Sequence, residues 1–504
     1  MSTTAATTPT SANAAESAPP AHSPGAAIAR NAAFLVMGQV ATTALSIALT
    51  AVLGRRLGAA DYGLYYFAWS SVQIAYNVVE WGQSATLIQV VARAPARAGA
   101  ALGSGIVMRV VGGVIASVVA TLAARMLGWD VRGQAIVGLM VLAWIPTSMG
   151  QAFGQVFRGH ERMSFDASLN VLNKALTVST ALPALMLGGS LGAVVACIAA
   201  GGWGMLGLAT VLARRLHLPR IQFTRDAFDE LFRTGFPLMV VGVTMLAQNY
   251  VETVLLASLT PREVVGWYGA ARSVYGTLIM PAQILILASF PRLARSIERP
   301  ELFALEVRTA LRPVLAMSAL GAVGTYLFAE VAIVLLYGRT GFAPSVQNLQ
   351  ALSPTLFLLF FDMILGSACI AAGHSKEMTV VKLASLGVSA GVAWLLVPWS
   401  QARWGNGAFG AIIAFGSSEV IMLVAFAVLI PRGVLTRRVL ADIVRAILSG
   451  AAAFGVVRLL PTGTPLLAIP VCLVAFAAAA AATGLVARSD LVALVAAVRQ
   501  RRGR

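Results

Sequence analysis

Fourteen apolar runs of membrane-spanning length follow one another between residues 31 and 487, and they leave the chain few ways to fold. They lie near 31–54, 63–91, 102–124, 134–157, 166–188, 191–213, 234–258, 264–290, 313–337, 344–372, 378–398, 407–430, 439–460 and 465–487. Each holds ~20 or more residues, the length that a hydrocarbon core of about 30 Å demands of a helix. In lipid, backbone N–H and C=O groups must be satisfied within a helix or a closed barrel. Barrel strands run to about ten residues and alternate in polarity, and these runs do neither. The predicted fold class is therefore all-α, a polytopic membrane protein with about 14 transmembrane helices. Composition agrees, with 58% apolar residues and 11% charged, against about 25% charged in soluble proteins.

The net charge of +17 has its simplest origin in cytoplasmic loops, which collect Lys and Arg; it does not call for a nucleic-acid partner. With both termini placed in the cytoplasm, the loops on that side hold 22 Lys and Arg outside the spans and those opposite hold 8. The positive-inside rule thus favours an even number of spans with both termini cytoplasmic. Cys197, Cys369 and Cys472 each sit alone in an apolar run, so neither a metal site nor a disulfide framework is expected. No cofactor motif is present.

The predicted organisation is a disordered cytoplasmic tail over 1–28, a six-helix lobe over 29–213, an amphipathic linker over 214–233, a second six-helix lobe over 234–430, two further helices over 431–487 and a basic tail over 488–504. Residues 1–28 are Ala, Ser, Thr and Pro with few bulky apolar groups, too little to order themselves. A repeat supports the two lobes. Gly63-Leu64-Tyr65-Tyr66-Phe67-Ala68-Trp69-Ser70 and Gly266-Trp267-Tyr268-Gly269-Ala270-Ala271-Arg272-Ser273 share Gly-x-Tyr-x-x-Ala-x-Ser at an offset of 203 residues, and Arg109 matches Arg312 at the same offset. Six spans separate the copies. That even number implies parallel halves in pseudo-two-fold relation about the membrane normal, with a site expected between them near the midplane.

One cation stands out against this frame. Arg272 lies about nine residues inside the eighth span, where an arginine costs ~2.5–3.5 kcal/mol on insertion scales, so it needs a partner or a function. Its counterpart in the repeat is Trp69. The charge is a departure from the shared scaffold.

The stretches VLGRRLGAADYGLYYFAWSSVQIAYNVVEWGQSA and YVETVLLASLTPREVVGWYGAARSVYGTLIMPAQILILASFPRLAR, with LLYGRTGFAPSVQNLQALSP and AAGHSK further on, resemble the bacterial polysaccharide biosynthesis proteins. These include the Wzx-type oligosaccharide flippases of the multidrug/oligosaccharidyl-lipid/polysaccharide exporter superfamily. The resemblance covers roughly residues 29–430. It implies a V-shaped transporter of the bacterial cytoplasmic (inner) membrane that flips an undecaprenyl-pyrophosphate-linked oligosaccharide by alternating access through a cationic cavity. Expected partners are that lipid-linked substrate, membrane lipid, polysaccharide polymerase or export proteins, and a coupling ion, H+ or Na+. Where many relatives carry Asp in the seventh span, this chain has Glu252.

A flippase of this kind needs charge for pyrophosphate, polar surface for sugar and an apolar slot for the polyprenyl tail. Arginine suits pyrophosphate through its bidentate fork, so Arg272 is the first cavity candidate, with an ion pair to Glu252 as the alternative. Lys174 and Asn170 share a face of span 5 as i and i+4, and Lys174 either faces the cavity or snorkels. Arg109, Asn77, Gln39 and Gln248 complete the cavity candidates. Glu252, Glu80 and Asp362 are candidates for ion pairing or coupling. Pro281, in span 8, is the candidate hinge. An ion-coupled exporter of cationic small molecules would instead need carboxylates in its cavity. A membrane glycosyltransferase or polymerase would need a large extracytoplasmic loop, and no such loop is present.

Overall fold

The computed structural model describes residues 24–459 and 465–486, with side chains throughout except at 24–36, 249, 287–288 and 465–466. Among the described residues every regular element is helical, with no strand. The helices are α1 (Pro24–Glu80), α2 (Gln83–Arg93), α3 (Ala98–Met126), α4 (Val131–Ala143), α5 (Ile145–Gly159), α6 (Met163–Met186), α7 (Leu191–Arg215), α8 (Arg225–Leu259), α9 (Arg262–Ser296), α10 (Pro300–Tyr337), α11 (Ala343–Ala371), α12 (Ser375–Trp404), α13 (Ala408–Leu429), α14 (Arg437–Leu459) and α15 (Pro465–Ala482).

Ten of the described helices are long and apolar enough to cross a membrane, or eleven with bent α9. One of them, Met37–Arg93, covers two predicted spans, because α1 breaks at Gly58, whose φ of 76° and ψ of 177° only glycine adopts without strain. Helices α6 and α15 fall outside that count, so fourteen stands as an approximate figure.

Helices α1 to α7 pack on one another, as do α8 to α13, while α14 and α15 pair and lean on α10. The appended pair is tied on by charge. Asp442 of α14 is buried and receives Arg308 at 2.8 Å, Arg445 at 2.9 Å and Arg312 at 3.7 Å. Arginines that could individually have reached the headgroups thus converge on one acid.

The two halves meet mainly through α1 with α9 and α1 with α8. Lipid offers no hydrophobic drive for helices to associate, so close backbone approach at small residues takes its place. Here the repeat becomes physical. A Cβ on Gly63 would run into the Arg262 carbonyl oxygen, and a Cβ on Gly266 into that of Ala59. Residues 59 and 262, like 63 and 266, are 203 apart, so the two copies of the motif cross each other about the pseudo-two-fold axis.

We call this closed end distal, and the end carrying the 216–224 connection the linker end. The distal seal is reinforced by Arg262 of α9, which pairs with Asp130 at 2.5 Å and lies 5.0 Å over the Trp129 ring. Arg55 donates to the carbonyls of Leu335 and Leu336, and the Tyr62 hydroxyl is 3.1 Å from both Ser273 and Tyr337. Asp130 also caps α4 by accepting from Gly133 N–H. That bond, with Arg262 beside it, holds its carboxyl below the usual carboxylate range.

Three expectations change. Helix α1 begins at Pro24 rather than after a tail ending at 28, and residues 1–23 and 487–504, with the basic tail, lie outside the described residues. The amphipathic stretch from Arg225 is no separate linker but runs unbroken into the next span as α8. The sharp bend of α9, 44°, falls between 262–286 and 289–296, not at Pro281. A proline ring displaces the carbonyl four residues back, so Pro291 accounts for a break at 287–288.

Candidate functional site

A cavity of about 350 Å3 lies on the seam between the lobes, lined by α1 and α6 on one side and α8 and α9 on the other. Its first wall is a polar stripe on α1. Gln39, Thr43, Ser46 and Thr50 recur at i, i+4, i+7 and i+11, one face of a helix. Ser46 donates to the Thr42 carbonyl at 2.8 Å and Thr50 to that of Ile47 at 3.0 Å. Their protons are thus used within the helix, which leaves oxygen lone pairs toward the cavity.

The second part of α1 contributes Tyr65, Tyr66 and Trp69, and α6 brings Lys174. The Lys174 ammonium sits 5.9 Å over the Trp69 ring, which stands edge-on to Trp144 at 5.1 Å. A cation over an indole face is attracted to the ring quadrupole. The position that is cationic in one half and Trp in the other therefore serves both charges. Arg272 marks one wall, and Trp69 seats Lys174 on the other.

Arg272 lines the same cavity from α9, beside Ser273, Gly276, Thr277, Met280 and Gln283. Its guanidinium carbon is 4.5 Å from the Phe415 ring centre and 5.3 Å from that of Tyr275. The Tyr275 hydroxyl lies 2.9 Å from Thr355 Oγ1, a contact that fixes that ring. No Asp or Glu is among the residues lining the cavity.

The predicted site residues therefore divide. Arg272, Lys174 and Gln39 come together here. Arg109 does not: it is buried in lobe one, donating to Gln83 at 3.0 Å, the Ser148 carbonyl at 2.5 Å and Gln155 at 3.0 Å, with Glu80 at 3.8 Å. Asn77 and Glu80 share with it a separate cavity of about 160 Å3. Asn170 donates back to the Asp166 carbonyl at 2.9 Å and is not at the seam cavity. Gln248 is buried with its amide 3.0 Å from Met422 Sδ.

Glu252 is buried and accepts from Ser389 at 2.6 Å, so its carboxylate is held within lobe two. Asp362 and Glu419 are buried in that lobe as well. Glu252, Asp362 and Glu419 each keep one carboxylate oxygen without a hydrogen-bond partner, and Lys382 acts electrostatically on Asp362 and Glu419. Of the α1 stripe only Gln39 is among the predicted residues, and Trp69 stood out only as the repeat counterpart of Arg272, not as a seat for Lys174. The stripe's helical spacing was there to be read; the neighbours of Trp69 were not.

Two helical lobes with a cation-bearing cavity on their seam define a membrane transporter of flippase or exporter type. Solved structures share the fold. The lipid II flippase MurJ in its inward closed conformation aligns with a TM-score of 0.69 at 11% identity, over 88% of this chain and 98% of that one. An inward-facing multidrug resistance MATE family transporter of the MOP superfamily aligns at 0.63 and 14%, over 77% and 93%. A MOP superfamily transporter from Pyrococcus furiosus with a binding pocket described as reversed in polarity aligns at 0.55 and 14%, over 80% and 95%. No curated protein matches the sequence. The family profile described as polysaccharide biosynthesis protein matches residues 28–297, and the chain belongs to that family.

Proposed function

We propose that the protein moves an undecaprenyl-pyrophosphate-linked oligosaccharide across the bacterial cytoplasmic membrane for cell-surface or exopolysaccharide synthesis. One observation carries this reading: a seam cavity holds a cation from each lobe, Arg272 and Lys174, with no carboxylate in its lining. A dianionic pyrophosphate is matched by two cations in a site of low dielectric. The aromatic rings and the hydroxyl and amide stripe offer the stacking faces and hydrogen-bond partners that sugars use. A cavity for cationic drugs would reverse that charge pattern.

In this reading the linker end is cytoplasmic, as the Lys and Arg distribution requires, and the distal seal is the periplasmic gate. Substrate enters with the gate shut, and the lobes then rock about the seam to open it. The buried carboxylates of lobe two, Asp362 and Glu419 with Glu252, are the proposed coupling groups for H+ or Na+. Polymerase or export proteins are the expected downstream partners. The test is transport by the full chain in vesicles with a fluorescent polyprenyl-pyrophosphoryl sugar. Arg272→Ala is expected to abolish flipping while membrane expression holds, and Arg272→Lys to retain part of it. Full activity in Arg272→Ala, or drug extrusion in place of lipid flipping, overturns the reading.

A further inference from the structure

A crevice of about 700 Å3 opens at the linker end of the molecule, between α10 and the start of α14. One wall is α10 over residues 301–308; the other is 434–438, the connection into α14 and its first turn. Arg308, Arg437 and Arg438 line it, and Glu301 is the one acid of the lining. Beside it lies the Asp442 cluster, where a single buried carboxylate serves Arg308, Arg312 and Arg445. The next acid along α10, Glu306, faces Arg292 at 3.7 Å. Five arginines thus stand against Asp442 and Glu301, an excess of three positive charges.

The placing of Arg437 and Arg438 works against the helix that carries them. They occupy the first turn of α14, which holds no acid, and a helix N-terminus disfavours cations. Topology asks for Lys and Arg somewhere at this end, but not for two in the turn where the helix dipole opposes them. An anion between the walls removes the conflict.

The surroundings say what kind of anion. Leu440, Val444 and Ile447 follow Arg437 at i+3, i+7 and i+10, on one side of α14, and all three are exposed. Depth agrees. Helix α10 has 38 residues, about 57 Å at 1.5 Å each, against about 40–45 Å for a bilayer with its headgroups. Its apolar run begins near residue 313, which sets 301–308 at headgroup level. A soluble phosphate would engage the arginines and leave the apolar stripe aside. An anionic phospholipid engages both, with its phosphate in the crevice and its chains along α14.

We infer that the crevice binds the phosphodiester head group of an anionic phospholipid from the leaflet at the linker end, and that this lipid fastens α14 and α15 to lobe two. Arg308 belongs to α10 and Arg437 and Arg438 to α14, so a phosphate among them spans the joint that Asp442 already ties. The inference is independent of what the transporter carries.

The test uses the full chain in mild detergent, stripped of lipid, and reads binding by native mass spectrometry and stability by melting temperature. The probes are dioleoylphosphatidylglycerol and dioleoylphosphatidylethanolamine. The first is expected to bind and to raise the melting temperature; the second, which carries no net charge, is expected to do neither. The double variant Arg437→Gln, Arg438→Gln is expected to weaken phosphatidylglycerol binding about thirtyfold. Without lipid it should melt no lower than the unmodified protein, since both side chains are exposed and outside the Asp442 cluster. Arg437→Lys with Arg438→Lys should keep most of the binding. Arg214→Gln with Arg215→Gln removes as much charge from exposed positions at the same end and should change nothing. Equal weakening by the two glutamine pairs, or equal binding of both lipids, overturns the inference. So does inorganic phosphate at millimolar concentration reproducing the melting shift, which would make the crevice a site for soluble anions.

Discussion

Gly63 and Gly266 give the sharpest single-atom test of the distal gate. Alanine at either one adds a methyl that meets a backbone carbonyl, of Arg262 in one case and of Ala59 in the other. Backbone cannot rotate aside as a flexible side chain would, so α1 and α9 must separate. Overpacking a tight contact costs about 1–3 kcal/mol, which shifts the balance between closed and open gate by about fivefold to somewhat over a hundredfold. Separation also loosens Arg262 from Asp130 and Tyr62 from Ser273 and Tyr337. Because the two glycines face each other across one axis, the first substitution already parts the helices. The Gly63→Ala, Gly266→Ala double variant should then fall short of the sum of the singles. The assay is labelling of Thr50→Cys in the cavity by a membrane-impermeant maleimide added on the side of the distal seal. Cys197 is replaced by Ser for this purpose, Cys369 and Cys472 being buried. Gly266→Ala should label faster than its parent, and Gly321→Ala, where the added methyl meets open space, should not. Unchanged labelling in Gly266→Ala would refute the assignment of this crossing as the gate.

Three further outcomes follow from the geometry. Arg109→Ala leaves Gln83, Gln155 and the Ser148 carbonyl without that donor and removes the charge 3.8 Å from Glu80; breaking a buried charge network of this kind costs about 3–5 kcal/mol, so detergent-solubilised protein should melt at lower temperature. Loss of flipping at full stability would instead make Arg109 a site residue. Asp130 is held below the usual carboxylate range by Gly133 N–H and Arg262, so its contribution to the closed gate is present above that range and is lost only as pH falls below it. Maleimide labelling, taken relative to a freely exposed cysteine at each pH because the thiolate is the reacting form, should therefore be flat from pH 8 to 6 in the unmodified protein, and Asp130→Asn should loosen the gate equally across that interval; a pH midpoint near neutrality would contradict this. Asp362→Asn should uncouple flipping from the ion gradient while leaving binding of polyprenyl-pyrophosphoryl sugar intact, as read by transport with and without an imposed gradient; gradient-dependent flipping in that variant would remove Asp362 from coupling.

The helices, their rough bounds and the doubling of the chain were legible in sequence because lipid permits so little: a span must be apolar, about 20 residues long and hydrogen-bonded within itself. The Gly-x-Tyr-x-x-Ala-x-Ser repeat was visible too, and so was Arg272 as a charge that lipid penalises. Burial depth, by contrast, does not say which way a polar side chain turns. Arg109 and Lys174 looked alike as cations inside spans, yet one is spent on Gln83, Gln155 and Ser148 within its lobe and the other sits over Trp69 at the seam. Glu252 accepts from Ser389 on another helix of its lobe, and the Arg272 guanidinium lies over the Phe415 ring, contacts that nothing local to either residue announces. Those outcomes depend on which helices face each other, a matter of contacts between residues far apart in the chain, 26 to 46 positions for Arg109 and 137 for Glu252, and no local pattern encodes them. By itself the sequence determined that this chain is a doubled helical membrane protein with a costly charge in its second half. Tertiary packing alone decided that the repeated glycines form the seal and that Trp69 seats a second cation, because both depend on which helix faces lie against each other.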